Sequence, residues 1–324
     1  VYYVYNVTPI VKVHLTKYFT GIFTQSNERI LSIMKARWNS HCTQCLLKQH
    51  LTNYPDTATE EERLTYIRRL FSILTEIAPG ESPPAIVNRI LTLQKEMFNQ
   101  FVDYTDIKKH FNQLMLEQED WIYADISSAT DPIRRALQYV MKGNYIDFGV
   151  LSDVNSEKLM ELLSQAKDQT IDEQIFEELM QDLTSAKNMV LLTDNCGEIV
   201  LDKLLIRTIM SQFPDLQIHV IVRGGHALND ATMEDAWQVG LPDLVKVIGN
   251  GTCLQGTYLP DISKEARDLL EQADVILSKG QGNFESLQYC GLNIYYLFLC
   301  KCDLFTKRFH THLYNGVLTN DRYV

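Results

Sequence analysis

Five short apolar runs after residue 187 constrain this chain more than any other feature: MVLLT (189–193), IHVIV (218–222), LVKVI (244–248), DVILS (274–278) and IYYLFL (294–299). Between them stand GEIVLDKLLIRTIMSQF, NDATMEDAWQVG and SKEARDLLEQA, which carry apolar residues at helical spacing. Parallel strands need a long crossover, usually a helix, and strands buried on both faces read as unbroken apolar runs rather than alternating ones. Strand, helix, strand, helix therefore predicts an α/β fold whose parallel sheet is covered on both sides, with right-handed crossovers.

The preceding stretch has another rhythm. From about residue 27 to 186 the pattern is helical. Thr59 followed by Glu62 fits a capping box, and Leu64, Ile67, Leu70, Phe71, Leu74 and Ile77 recur at helical spacing after it. APGESPP (78–84) is a break whose prolines suit the first turn of the next helix, continued by Ile86, Ile90, Leu93 and Met97. DIKKHFNQLMLEQ, DPIRRALQYVMKG, SEKLMELLSQA and DEQIFEELMQDL extend the helical series. The reading divides the chain into a β-like or irregular extension (1–26), a helical lobe (27–186) and an α/β core (187–324).

Composition excludes some functions. The chain has 324 residues and a net charge of −11, from 30 basic and 41 acidic residues. That balance speaks against a general nucleic-acid binder, which needs a basic face. No apolar run reaches membrane-spanning length, and the start lacks the order of a secretory signal. Seven scattered cysteines in a chain this large read as reduced thiols of a cytoplasmic protein. Oligomeric state is not legible.

In an open parallel sheet, ligands bind at the carboxyl ends of the strands, and there the unusual residues gather. The first run ends in Asp194-Asn195-Cys196-Gly197-Glu198, the second in RGGHALND up to Asn229 and Asp230, the third in GNGT, the fourth in SKGQGNFE from Lys279, and the fifth in Lys301. Asp194, Asp230 and Asn195 offer hard oxygen donors suited to Mg²⁺, Mn²⁺ or a similar cation. Lys279 beside helix-opening glycines is suited to phosphate. A cation and an anion cradle at one edge describe phosphoryl transfer or hydrolysis. Singly, Asp194, Asn195, Asn229 and Asp230 are equally good helix caps, and Lys279 is an ordinary solvated lysine. Capping does not explain a lysine and glycines at a fourth strand end.

TDNCGEIVLD, GGHALNDATMEDA, SKGQGNFESL and LFLCKC together resemble the metal-dependent damage-control phosphatase family, the ARMT-like domain family. GNYIDFG (143–149) and the early CTQC (42–45) resemble its branch with an N-terminal CxxC. The resemblance implies a three-layer α/β/α core with a helical N-terminal lobe. It implies that Asp194, Asn195 and Asp230 hold one divalent cation (Mn²⁺, Mg²⁺, Co²⁺ or Ni²⁺). It implies that Lys279 contacts the substrate phosphate, with Glu198, Asn229 and Gly225 close by. Asn144, Asp147 and Lys301 match further family motifs and are expected to line the substrate side. The implied substrates are small phosphate monoesters, such as sugar phosphates or damaged metabolites.

The attacking group in such a site is either a water, with Glu198 as a base, or a carboxylate, with Asp194 the first candidate. Haloacid-dehalogenase phosphatases carry a second aspartate two residues after the first, where this chain has Cys196. Two other readings stay open: an S-adenosylmethionine-dependent carboxyl methyltransferase, against which DNCGE lacks a glycine-rich loop, and a non-catalytic phosphometabolite binder. Cys42 and Cys45 form half of a zinc site with no matching second pair, so half-buried or buried thiols are expected over a redox pair. Cys196 reads as a small filler and His226 as a surface residue.

Overall fold

A computed structural model describes residues 38–78, 80–99, 102–144, 160–161 and 163–324. The extension expected over 1–26 and the candidate Asp147 lie outside the described residues.

The five apolar runs form β1 (Asn188–Leu192), β2 (Gln217–Val222), β3 (Lys246–Gly249), β4 (Val275–Lys279) and β5 (Ile294–Leu299). A sixth strand, β6 (Gly316–Asn320), follows a turn. The order across the sheet is β3-β2-β1-β4-β5-β6. All neighbours are parallel except β5 and β6, which are antiparallel. The sequence reading missed β6 because VLTN is short and sits between polar residues, with none of the long apolar run that marks a central strand.

Successive residues of each central strand enter opposite cores. Met189 and Leu191 join the cluster of Val220, Val222, Val275 and Leu277. Val190 and Leu192 join that of Ile221, Ile276, Tyr296 and Phe298. Both faces are therefore buried, as the unbroken runs required, and the chain is a three-layer α/β/α structure.

The first face is covered by α4 (Thr105–Leu116), α5 (Glu119–Ser128), α6 (Pro132–Gly143), α7 (Glu173–Ser185), α8 (Glu198–Gln212) and α9 (Met233–Gln238). The second is covered by α10 (Lys264–Gln272), α11 (Gln281–Leu287) and α12 (Asp303–Arg308). Ahead of them α1 (Ser40–His50), α2 (Glu60–Thr75) and α3 (Pro83–Phe98) form a separate apolar cluster around Leu46, Tyr66, Leu70, Ile86, Ile90 and Leu93.

Local chemistry sets the helix starts. The Thr59 hydroxyl accepts from the Glu62 N–H while Glu62 accepts from the Thr59 N–H at 2.8 Å, a complete capping box. Ser82 and Asp131 cap α3 and α6, each followed by proline in the first turn. All seven cysteines are free. Cys42 is half-buried, whereas Cys45 is exposed, outside the half-buried or buried setting expected for it. Leu46 and His50 are the inward positions of α1, and Cys45 stands about 100° around the helix from Leu46. Among the described residues, no helix is long and apolar enough to cross a membrane.

Candidate active site

The chain runs β1, β2, β3 outward and then crosses back to β4, so the strand order reverses between β1 and β4. A crevice opens at the carboxyl ends of the strands at such a point. Leu192 pairs with Ile221 on one side and Ser278 on the other, which sets Asp194 level with Arg223 and Gly280. Gly280 has φ 81°, and a Cβ there would strike the Asp194 carboxylate, so only glycine fits.

Backbone bonds stitch the first two loops together. The Ala231 N–H donates to the Asp194 carbonyl at 2.7 Å, and the Cys196 N–H to that of Asn229 at 2.9 Å. Asn195 and Asp230 face each other as an antiparallel bridge. On this frame the side chains converge. Asp194 Oδ2 accepts from Asn144 Nδ2 and from Asn195 Nδ2, both at 2.8 Å. Glu198 Oε2 accepts from the same two amides at 2.9 and 3.2 Å. Glu198 Oε1 accepts from Lys279 Nζ, which also donates to Asp202 Oδ1 at 3.0 Å. Asn144, at the end of α6, accepts the Leu299 N–H at 3.2 Å and so ties α6 to the end of β5.

Of the residues singled out in the sequence, Asp194, Asn195, Glu198, Asn229, Asp230, Lys279 and Asn144 come together and are buried. Gly225 lies half-buried in the loop after β2. Lys301 donates its N–H to Gln281 Oε1 at 3.0 Å, and its charge reaches Asp194. Cys196 is buried and His226 exposed.

Three functional-looking residues escaped the sequence reading. Arg223, 1% exposed, donates through Nε to Asp230 Oδ2 at 2.5 Å and through Nη1 to Asn283 Oδ1 at 3.1 Å. Its signal was an arginine directly after an apolar strand. Asp202 lies one turn after Glu198 on α8, and its signal was two acids at i,i+4 inside EIVLDKLL. Asn112 of α4 is fully buried. It accepts the Gly197 N–H at 2.6 Å and donates to Asp235 Oδ1 at 2.8 Å. Nothing in its own segment marked it out.

Among the described residues, the buried acids of this cluster outnumber the buried cations. Asp194, Glu198, Asp202 and Asp230 are buried carboxylates, and the buried cations among them are Lys279 and Arg223. Burial, then Glu198 and Asp230, push the Asp194 carboxyl up to about 7, against the opposing pull of Lys301 and Arg223. Burial pushes Asp202 up to about 6 despite Lys279. Burial works against the Lys279 ammonium, yet Asp202 and Glu198 outweigh it and hold its pKa above the ordinary lysine value. Donors are in surplus as well. Arg223 Nη2 and Asn229 Nδ2 are buried without a hydrogen-bond partner among the described residues.

In a doubly wound α/β fold the switch point is where ligands commonly bind, and this cluster of buried acids and amides lies there. The comparisons place the chain more narrowly. The family model of the damage-control phosphatase ARMT1-like domain matches residues 34–315, and the chain belongs to that family. An uncharacterised protein of Methanocaldococcus jannaschii is 32% identical over 278 residues, 81% of this chain and 88% of that protein. A damage-control phosphatase of Pyrococcus horikoshii is 36% identical over 169 residues, 52% of this chain and 58% of that protein. A damage-control phosphatase of Archaeoglobus fulgidus is 30% identical over 203 residues, 62% of this chain and 69% of that protein. The fold matches the crystal structure of a DUF89 family protein from P. horikoshii with a TM-score of 0.72 and 24% identity, covering 88% of this chain and 99% of that one.

Proposed function

We propose that the chain is a divalent-metal-dependent phosphatase of small phosphate monoesters, such as sugar phosphates or damaged phosphorylated metabolites. The observation that carries this reading is the double shortfall at the switch point. Among the described residues, four buried carboxylates face two buried cations and the half-buried Lys301, while two buried donors have no hydrogen-bond acceptor. An uncompensated interior charge is costly and takes up a proton or a counter-ion. A cation supplies what the carboxylates lack, and phosphate oxygens supply what the donors lack.

Asp194, Asn195 and Asp230 would hold the cation, with Mn²⁺, Mg²⁺, Co²⁺ and Ni²⁺ the candidates; two carboxylates and an amide oxygen are the donor set such hard ions take. When bound, it supplies charge neutralisation for the phosphoryl group. The chain's own residues do the rest. Asn144 donates to both Asp194 and Glu198 and fixes the two carboxylates relative to each other. Glu198 has both oxygens engaged by Asn144, Asn195 and Lys279, which suits an orienting group better than a free base. Lys279 is held charged and brings a positive field to the phosphate side. Asn229 Nδ2 and the Gly225 N–H would be the donors for phosphate oxygens, the Gly224 N–H being taken by Thr252 and Asn250, and Lys301 would line the same edge. Asp194 is the carboxylate the reaction cannot lose.

The test is phosphate release from an aryl phosphate and a panel of phosphorylated metabolites, with each cation in turn. Asp194→Ala should lower turnover about a thousandfold or more. Because it removes one of an excess of like charges, it should leave the melting temperature unchanged or higher. No release with any cation, in a protein that still binds a phosphorylated metabolite, would return the chain to the class of non-catalytic binders.

A further inference from the structure

We propose that Arg223 is a positioning residue that sets cation affinity by holding the Asp230 carboxylate with one edge of its planar fork and facing the Asp194 carboxylate with the other; this rests on the cation reading above. Arg223 follows the last residue of β2 and heads the fully buried large side chains of the protein. Its guanidinium is held through two of its three nitrogens by three acceptors. Nε donates to Asp230 Oδ2 at 2.5 Å. Nη1 donates to Thr257 Oγ1 at 3.3 Å and Asn283 Oδ1 at 3.1 Å. Nη2 has no hydrogen-bond partner among the described residues and stands 3.9 Å from Asp194 Oδ1.

Thr257 and Asn283 are themselves locked. The Thr257 hydroxyl donates to Asn283 Oδ1 at 2.8 Å, and Asn283 Nδ2 donates to the carbonyls of Thr193 and Lys279 at 3.0 and 2.7 Å. The fork is therefore aimed by the ends of β1 and β4, the two strands that define the crevice. It grips one carboxylate and faces the other. A buried arginine needed only to answer Asp230 would not keep a further nitrogen unpaired in the interior, since an unmade buried hydrogen bond is expensive. Lysine cannot reproduce this, because an ammonium has no fork. Groups that orient metal-binding carboxylates are commonly worth about 10- to 100-fold in metal affinity.

As a positive charge beside a cation, Arg223 also repels it, and the two roles predict opposite signs. The experiment is Mn²⁺ binding by titration calorimetry on the metal-free full chain, comparing wild type with Arg223→Lys, Arg223→Gln and Thr257→Val, each first shown to be folded by circular dichroism. Positioning predicts weaker Mn²⁺ binding in both arginine variants, by about tenfold or more. It predicts a loss of about threefold in Thr257→Val, which leaves the charge in place and removes one anchor. Phosphate release by Arg223→Lys should recover as Mn²⁺ is raised, which a disordered site would not do. Affinity within twofold of wild type in folded Arg223→Lys, or tighter binding in Arg223→Gln, overturns the proposal. Should the arginine variants not fold, an unchanged affinity in Thr257→Val overturns it equally. A wild-type chain that binds no Mn²⁺ sinks the cation reading itself, an outcome distinct from variants that bind as wild type does.

Discussion

Two buried ionic clusters meet at the loop 194–198, and they follow opposite charge rules. On one side Lys108 pairs with Asp235 at 2.7 Å, both nearly inaccessible. Asn112 donates to Asp235 Oδ1, and the Thr232 N–H and hydroxyl donate to Asp235 Oδ2 at 2.8 and 2.7 Å. One cation meets one carboxylate and each oxygen has a donor. On the other side Asp194, Glu198, Asp202 and Asp230 share Lys279 and Arg223. The first cluster is complete without any guest and pins α4 and α9 to the site loop. In the second, among the described residues, buried acids outnumber buried cations and Arg223 Nη2, Asn229 Nδ2 and Asp202 Oδ2 have no hydrogen-bond partner, which is the contrast the proposed site rests on.

Removing a carboxylate should therefore have opposite consequences on the two sides. Asp235→Ala leaves Lys108 charged and buried without its partner and strips three donors of their acceptor. Breaking such a pair costs about 3–5 kcal/mol. Urea unfolding should show a loss of that order. A loss below about 1 kcal/mol would mean that Lys108 reaches water, and the contrast between the clusters would fail.

Glu285 on α11 is a half-buried carboxylate apart from both clusters. It accepts from Gln281 Nε2 at 2.9 Å, and burial pushes its carboxyl up to about 7 from an ordinary value near 4.5. A raised carboxyl means the folded chain keeps a proton that the unfolded chain has released. Its contribution to stability is full below about 4.5 and is lost as pH rises through about 7. Glu285→Gln keeps the shape of the protonated form and removes the loss. The variant should match wild type near pH 4.5 and exceed it at pH 8, by up to about 3 kcal/mol. Equal unfolding curves at pH 8 would show that Glu285 is hydrated.

How much of this was legible beforehand divides along physical lines. β1, β4 and β5, and most of β2, were readable because a strand buried on both faces leaves no room for polar residues, so the signal is concentrated in consecutive positions; the edge strand β3 was read from the short apolar run LVKVI although Lys246 is exposed. Asp194, Asn195, Asp230 and Lys279 were readable because strand ends in a parallel sheet have a known use, and polar residues there need a reason. Asn144 came from the family resemblance, not from its own segment. Asp202 and Asn112 were not found because their partners lie far along the chain, and Arg223 because its anchors beyond Asp230, Thr257 and Asn283, are equally distant. Asn112 meets Gly197 and Asp235 only once α4 packs on the sheet, and no local pattern records that meeting. The surplus of carboxylates was likewise invisible, since it depends on which of the many acids are buried together.

Asp202 offers the finest test of that surplus. In the triad Lys279 donates to Glu198 and Asp202, so two carboxylates share one ammonium, and Asp202 Oδ2 is buried with no hydrogen-bond partner among the described residues. Asp202→Asn converts an overcharged triad into a balanced Glu198–Lys279 pair, and the amide oxygen still offers Lys279 an acceptor. The sign follows from the carboxyl being raised to about 6: wild type has the benefit of the bound proton below about 3.8 and loses it as pH rises through about 6. The variant has no such loss. Its stability relative to wild type should climb from near zero around pH 4 to a gain of about 1 kcal/mol at pH 8, discounted for the hydrogen bond to Lys279 that becomes weaker with a neutral acceptor. This is the reverse of the Asp235→Ala result, from the same kind of deletion at a buried acid. A loss of several kcal/mol at pH 8 would mean that Asp202 is as necessary to Lys279 as Asp235 is to Lys108, and that the site is charge-balanced after all.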